Sequence, residues 1–435
     1  MKTRIIAGLA VVVLAGAGVA LYTNGSTQAD DVADNQVRAA EATTPDLAAI
    51  KRGAYVAVQG DCAACHTAPG GQGFAGGYGL QTPFGVINST NITPDPQTGI
   101  GNWTERDFFH AVRHGKRKDG ALLYPAMPYN AYVKMSDGDM HDLWAYMRSL
   151  KPVQQTPAAN TLGFPYNIRL AMLGWNLLFF KNTAYVPAPE QSTQWNRGRY
   201  LVDGAGHCAA CHTGKNALGG DTDAYLQGAE LLGGYAPEIT NNAHVGLGHW
   251  SNEQIQQYLK TGSNDKAVAG GAMGEAVEHS TQYLNDNDLA DIAVYLKSLP
   301  GSNAMAPQPL AATDPLMHRG AQVYETNCMA CHNVKGEGIN GMVTGFADNS
   351  GIRSASAASL VSTVLKGGRA AATEANPTAA GMPSFAWKLN DGDIAAVLTY
   401  VRNSWGNAAP AVAADQVAKA RTALKAAPLL DTTAR

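Results

Sequence analysis

The sequence predicts an all-α chain made of three small domains in tandem, and three observations predict it. The length, 435 residues, suits about three domains. The pentapeptide pattern C-x-x-C-H occurs three times, at Cys62–His66, Cys208–His212 and Cys328–His332. A capped stretch with helical apolar spacing follows each copy at a similar distance.

The elements follow in order. Each domain opens with a helix carrying Arg52-Gly53-Ala54-Tyr55, Arg197-Gly198-Arg199-Tyr200 or Arg319-Gly320-Ala321-Gln322-Val323-Tyr324, just before its pentapeptide. Each closes with a helix starting at Ser136, Asn285 or Asn390. These residues are good N-caps, and an acid three residues on (Asp139, Asp288, Asp393) gives a capping-box arrangement. Apolar residues then recur at helical spacing, as at Leu289, Ile292, Ala293 and Leu296. Domains 1 and 2 also share a block, Ile92-Thr93 with Gly101-Asn102-Trp103 and Ile239-Thr240 with Gly248-His249-Trp250, which domain 3 lacks. The expected domains are 46–152, 191–300 and 314–406. Linkers join them, and an Ala-rich tail over 407–435 is expected as a surface helix without chemistry.

The pentapeptide spacing is that of covalent c-type haem attachment. Two thiols on one helical turn reach the two vinyl groups of a porphyrin, and the adjacent imidazole is held under the ring as an axial iron ligand. The pairs Cys62 and Cys65, Cys208 and Cys211, and Cys328 and Cys331 use all 6 cysteines, with His66, His212 and His332 as ligands to three haem irons. A zinc site would need four ligands, and no second C-x-x-C or H-x-x-x-H lies close enough to complete one.

A low-spin electron carrier needs a sixth ligand, usually methionine, in a loop before the last helix. Ala126-Met127-Pro128, Gly271-Ala272-Met273-Gly274 and Gly381-Met382-Pro383 supply Met127, Met273 and Met382. Met135 competes with Met127, but it occupies the position of Leu284 and Leu389 and reads as core; Met342 competes with Met382. His110 and His114 stand four apart with nothing to complete a metal site. They read as a polar face near the basic run Arg113, Lys116, Arg117 and Lys118. His207 and His279 read as residues near haem 2 that do not ligate iron. The stretch Leu170–Phe180 is apolar for a linker and too short to span a bilayer. Two readings stay open for it: packing across domains 1 and 2, or covering a membrane or partner surface.

Lys2 and Arg4 followed by the apolar run Ile5–Leu21 read as a signal peptide or N-terminal anchor within 1–30, placing the domains outside the cytoplasm. With 15% charged residues, a net charge of −3 and no basic patch, a nucleic-acid partner is excluded.

Together these residues resemble the three-haem cytochrome c subunit of membrane-bound dehydrogenases of acetic acid bacteria and related proteobacteria. The resemblance runs from about Leu47 to Trp405. It is carried also by Tyr124-Pro125-Ala126-Met127-Pro128-Tyr129, Trp175-Asn176-Leu177-Leu178-Phe179-Phe180, Tyr235-Ala236-Pro237-Glu238-Ile239-Thr240 and Glu278-His279-Ser280-Thr281-Gln282-Tyr283. It implies class I-like cytochrome c domains, each built around one haem. It also implies a catalytic dehydrogenase partner of quinoprotein, flavoprotein or molybdopterin type, with a small subunit as a further partner. The acceptor would be ubiquinone, and the location the periplasmic face of the bacterial inner membrane. Alcohol and aldehyde branches both stay open, with Tyr258–Gly262 nearer the aldehyde branch. The alternatives are a free periplasmic carrier serving a terminal oxidase and a haem peroxidase with one open haem. No catalytic residue is expected in this chain.

Overall fold

In every domain the last helix starts where its N-cap places it. Ser136, Asn285 and Asn390 are extended, and their side chains accept from the backbone N–H of Asp139, Asp288 and Asp393. In the computed structural model, which describes residues 46–426 apart from 340, 341 and 344, these helices run Asp137–Ser149, Asp286–Ser298 and Asp391–Arg402. The first helices run Leu47–Gln59, Thr193–Asp203 and Pro315–Asn327. The N-terminal segment expected as a signal or anchor lies outside the described residues.

The first and last helices cross at one glycine, always in the same register. A Cβ on Gly53 would lie 1.8 Å from Asp142 O, one on Gly198 1.9 Å from Asp291 O, and one on Gly320 2.2 Å from Ala396 O. Each of these carbonyls stands six residues past its N-cap. Only a residue without a side chain permits that approach, because a real Cβ needs more than 3 Å. Arginine just before the glycine fastens the crossing. Arg52 pairs with Asp142 (2.6 and 2.8 Å), Arg197 with Asp288 (2.8 and 2.8 Å) and Arg319 with Asp393 (2.8 Å). The third-position acids Asp288 and Asp393 are engaged by arginine and Asp139 by Tyr200, so the expected reciprocal capping box is only half formed.

Each domain has a middle helix that the sequence reading did not foresee. Glu105–His114 and Asn252–Thr261 carry complete capping boxes, Thr104 with Asp107 and Ser251 with Gln254, and end at Gly115 (φ 60°) and Gly262 (φ 76°). Ala358–Lys366 ends at Gly367 (φ 79°). These left-handed C-cap conformations are open to glycine at little cost. The fold class is all-α as expected, with small antiparallel hairpins added: Gly79–Thr82 with Gly85–Asn88, Ala229–Leu231 with Gly234–Ala236, and Gly368–Arg369 with Gly381–Met382.

Domains 1 and 2 exchange one tyrosine each. Tyr55 Oη accepts from Asn285 N (3.0 Å) and donates to Asp288 (2.7 Å); Tyr200 Oη accepts from Ser136 N (2.8 Å) and donates to Asp139. Each first helix therefore reads the cap of the other domain's last helix. Domain 3 docks on domain 2 through a strand-like contact: Ala371 N donates to Ala269 O (3.0 Å), and Gly270 pairs with Ala370. The Ala-rich tail does more than lie on the surface. Its helix Ala414–Ala426 packs on Asp391–Arg402, Val417 is fully buried in the domain 3 core, and Arg421 bonds Asp391, Ala386 O and Leu389 O.

Candidate haem sites

The three pentapeptides form short helices, Cys62–His66, Ala209–His212 and Met329–His332, directly after the first helices. A sharp turn redirects the chain at the first two. Asp61 and His207, each just before the first cysteine, adopt left-handed conformations (φ 48° and 37°). Asp61 carries a buried carboxylate oxygen without a partner among the described residues. Burial first, and then the charge of Glu275, raise its pKa to about 8.

All six thiols are free. The first cysteine of each pair packs against its domain's apolar cluster: Cys62 with Phe108, Met140 and Leu143, Cys208 with Leu201, Leu289 and Ile292, Cys328 with Val364, Leu389 and Leu398. The second cysteine is placed differently: Cys65, Cys211 and Cys331 are exposed. Cys331 stands outside the apolar cluster that holds Cys328, at the solvent side of domain 3. Cys331 N donates to Cys328 O (3.2 Å), and two residues later the chain swings away at Asn333 (φ 60°). In all three turns the first thiol meets the apolar wall and the second faces outward.

Burial pushes the thiols of Cys62 and Cys208 to about 12 and that of Cys328 to about 11, so these three are neutral at pH 7. No group of three or more His, Cys, Asp or Glu among the described residues could hold a bare metal ion. Two thiols on one turn beside an apolar wall, with no further metal-binding side chain grouped with them among the described residues, fit thioether attachment of a porphyrin better than a thiolate metal site.

The histidines are oriented by backbone. His66 Nδ1 meets Thr90 O at 2.7 Å, and His212 Nδ1 meets Pro237 O at 2.7 Å. A carbonyl only accepts, so Nδ1 carries the proton and Nε2 keeps its lone pair for iron. Burial lowers both imidazole pKa values, opposed by these hydrogen bonds, which keeps the rings neutral.

The block shared by domains 1 and 2 builds the two acceptors. Thr93 N and Oγ1 donate to Asn91 Oδ1, and Asn91 Nδ2 donates to Val153 O (2.7 Å). In domain 2, Glu238 accepts from Thr240 Oγ1, from Ser302 N (2.9 Å) and from Ser302 Oγ (2.6 Å). Each knot ties the residue after the acceptor carbonyl to the chain leaving the last helix. Domain 3 has no such block. There His332 Nδ1 is buried without a partner among the described residues, and the ring instead stacks on Phe346 (4.5 Å, 25°), which stacks on Trp405 (5.9 Å).

The methionines divide. Met127 packs in the cluster that holds Cys62, and Met382, on its hairpin strand, packs in the cluster that holds Cys328. Met273 stands in the first turn of the helix Gly271–His279. It packs with Ala269, Val277 and Ala371 rather than with Cys208, although Tyr258 touches both groups. Met135 is 3% exposed in the domain 1 core, in keeping with its reading as a core residue, whereas Met342 is 46% exposed. The rings of His110 and His114 lie 5.6 Å apart, and His114 meets Phe180 of the linker. His207 lies edge-on to Tyr132 (5.6 Å), whose hydroxyl donates to Gly60 O (2.7 Å). Nothing local in the sequence signals this contact between domains.

Three attachment turns, two with a histidine oriented by a backbone carbonyl and one with a histidine stacked on Phe346, define a tandem haem-binding protein, and comparison with known proteins agrees. The Cytochrome c family model matches residues 50–151, 196–300 and 317–405, and the chain belongs to that family. It is 42% identical over 397 residues to the gluconate 2-dehydrogenase cytochrome c subunit of Pantoea cypripedii, covering 86% of this chain and 90% of that protein. It is 40% identical over 407 residues to the cytochrome c subunit of alcohol dehydrogenase (quinone) of Gluconobacter oxydans, covering 88% and 84%. It is 39% identical over 408 residues to the fructose dehydrogenase cytochrome subunit of Gluconobacter japonicus, covering 87% and 84%. The resemblance read from the sequence is borne out by these relatives. No helix among the described residues is long and apolar enough to cross a membrane.

Proposed function

We propose that this chain is the electron-transfer subunit of a membrane-bound, periplasm-facing dehydrogenase, accepting electrons from a catalytic subunit and delivering them to ubiquinone. One observation carries the reading. Relatives similar over nearly the whole chain are named for dehydrogenases of three substrates: gluconate, an alcohol and fructose. What such subunits share is the handling of electrons, so the reading needs no pocket in this chain for the compound oxidised.

Haem iron, when bound, supplies one-electron chemistry at each of the three sites. The chain's residues do the rest. Cys62 and Cys65, Cys208 and Cys211, and Cys328 and Cys331 fix each ring covalently; His66, His212 and His332 present Nε2 from one side. Met127 and Met382, which pack in the clusters that hold Cys62 and Cys328, would supply the sixth ligand at haems 1 and 3, and Met273 is the candidate at haem 2; a sixth ligand would keep small ligands from the metal. Apolar clusters around Cys62, Cys208 and Cys328 exclude water, which limits solvent reorganisation as charge moves.

The test is purification from membranes. A catalytic dehydrogenase is expected to co-purify, and quinone reduction by its substrate is expected to vanish without this chain and return when it is added back. A chain that purifies alone and leaves quinone reduction intact would contradict the proposal. A second reading is favoured by the helical position of Met273: an open, peroxidase-like haem 2. Unchanged haem 2 spectra in Met273→Ala, with ready cyanide binding by the wild type, would establish that reading.

A further inference from the structure

The linker between domains 1 and 2 resolves into a two-faced helix, Ala171–Phe179. Its inner face settles the packing question. Trp175 is buried and donates to Leu218 O (3.0 Å), Asn176 Oδ1 accepts from Tyr129 Oη (2.7 Å), and Phe179 packs on Gly220. This face clamps domain 1 to domain 2.

The outer face is left without a cover. Leu170 (70% exposed), Gly174, Leu177 (87%) and Leu178 (65%) recur at positions i, i+4, i+7 and i+8, one stripe of a helix, and Lys181 follows just past the helix end. Just upstream, Phe164 is 80% exposed. A contiguous apolar stripe of this kind has no solvent reason to be exposed.

The charge pattern says what meets it. Between Asp142 and Glu190 the chain contains no acidic residue, while Arg148, Lys151, Arg169 and Lys181 are all basic. Arg169 and Lys181 flank the stripe. Arg169 is held in place, its guanidinium 4.8 Å from the Tyr124 ring centroid and donating to Leu122 O (2.8 Å). A face of leucine and phenylalanine bracketed by cations and free of acids is the composition of a helix lying in a bilayer interface with anionic headgroups. A protein interface would more often centre on Trp, Tyr and Arg, with leucine under-represented among its anchors.

We propose that the outer face of Ala171–Phe179, with Phe164 and the flanking Arg169 and Lys181, lies in the headgroup–acyl boundary of an anionic bilayer. This deepens the membrane-bound reading above and rests on it. Because the inner face of the same helix clamps domains 1 and 2, seating it would fix both domains against the membrane plane.

The test is local hydrogen exchange in the purified complex, with and without vesicles of phosphatidylethanolamine and phosphatidylglycerol in a ratio of about 3:1. The expected result is at least about fivefold slower exchange over 164–181 on vesicles, lost in Leu177→Glu/Leu178→Glu while the haem spectra stay unchanged. If the complex sediments with vesicles but 164–181 exchanges as before, this inference fails and the membrane-bound reading stands. Protection that needs the catalytic subunit and not lipid overturns the inference in favour of a protein cover. A complex that does not sediment with vesicles at all overturns both.

Discussion

Glu238 and Asn91 do the same work with different chemistry. Both sit one residue beyond a carbonyl that orients an imidazole, and both tie that carbonyl to the chain leaving the last helix. Glu238 is 2% exposed and satisfies Thr240 and Ser302. Glu238→Ala strands these polar groups and is expected to cost about 2–3 kcal/mol, seen as a lower denaturation midpoint. Because Pro237 O holds His212, the same variant should move the midpoint potential of one haem and leave the other two. Equal movement of all three potentials would show that the knot acts only on stability. The methionines are tested separately: Met127→Ala and Met382→Ala should each convert one haem to a high-spin, cyanide-binding form, read by absorption spectroscopy. At the attachment turns, the C-x-x-C spacing tells that two thiols share a turn but not which of them meets the core. That division, with Cys328 against the wall and Cys331 exposed, depends on how the turn is set into the domain.

Between elements, the glycine crossing sets the geometry of each domain. Gly198→Val would drive a side chain into Asp291 O and is expected to cost more than about 4 kcal/mol, read as loss of folded holoprotein. Gly138→Ala, also helical, has no heavy atom nearer than Ser136 Oγ at 3.9 Å and should stabilise by about 0.5 kcal/mol. The arginine clasp adds a pH dependence. Burial opposes the charge of Asp288, but Arg197, Tyr55 and Gln59 outweigh it and hold the pKa below the usual 3.8. A depressed carboxylate stabilises the fold above its unfolded pKa and loses that contribution as pH falls through the folded value. The stability gap between wild type and Asp288→Asn should therefore be full at neutral pH and close progressively below about pH 4. A gap that widens on acidification would show the pair to be destabilising.

Across the whole molecule, what could be read from sequence was what is local. The caps at Ser136, Asn285 and Asn390 and the attachment turns need only neighbouring residues, and the sequence displays them. The capping boxes at Thr104 and Ser251 are equally local, but the third domain has no counterpart, so they fall outside the threefold repeat that marks the other elements. The glycine register, the exchange of Tyr55 and Tyr200, and the entry of Val417 into the domain 3 core depend on contacts between segments far apart in the chain. No periodicity announces them. The place of Met273 on a helix was hidden for the same reason: the helix packs on Ala371 of domain 3, far along the chain.

If the chain holds three closed His/Met haems, redox titration will show it. The purified holoprotein would be titrated stepwise and followed by absorption and electron paramagnetic resonance, with and without cyanide. Three one-electron steps are expected, with every haem low-spin in the oxidised state and none altered by cyanide. A high-spin component of one haem that binds cyanide in the wild type would contradict closure at that site.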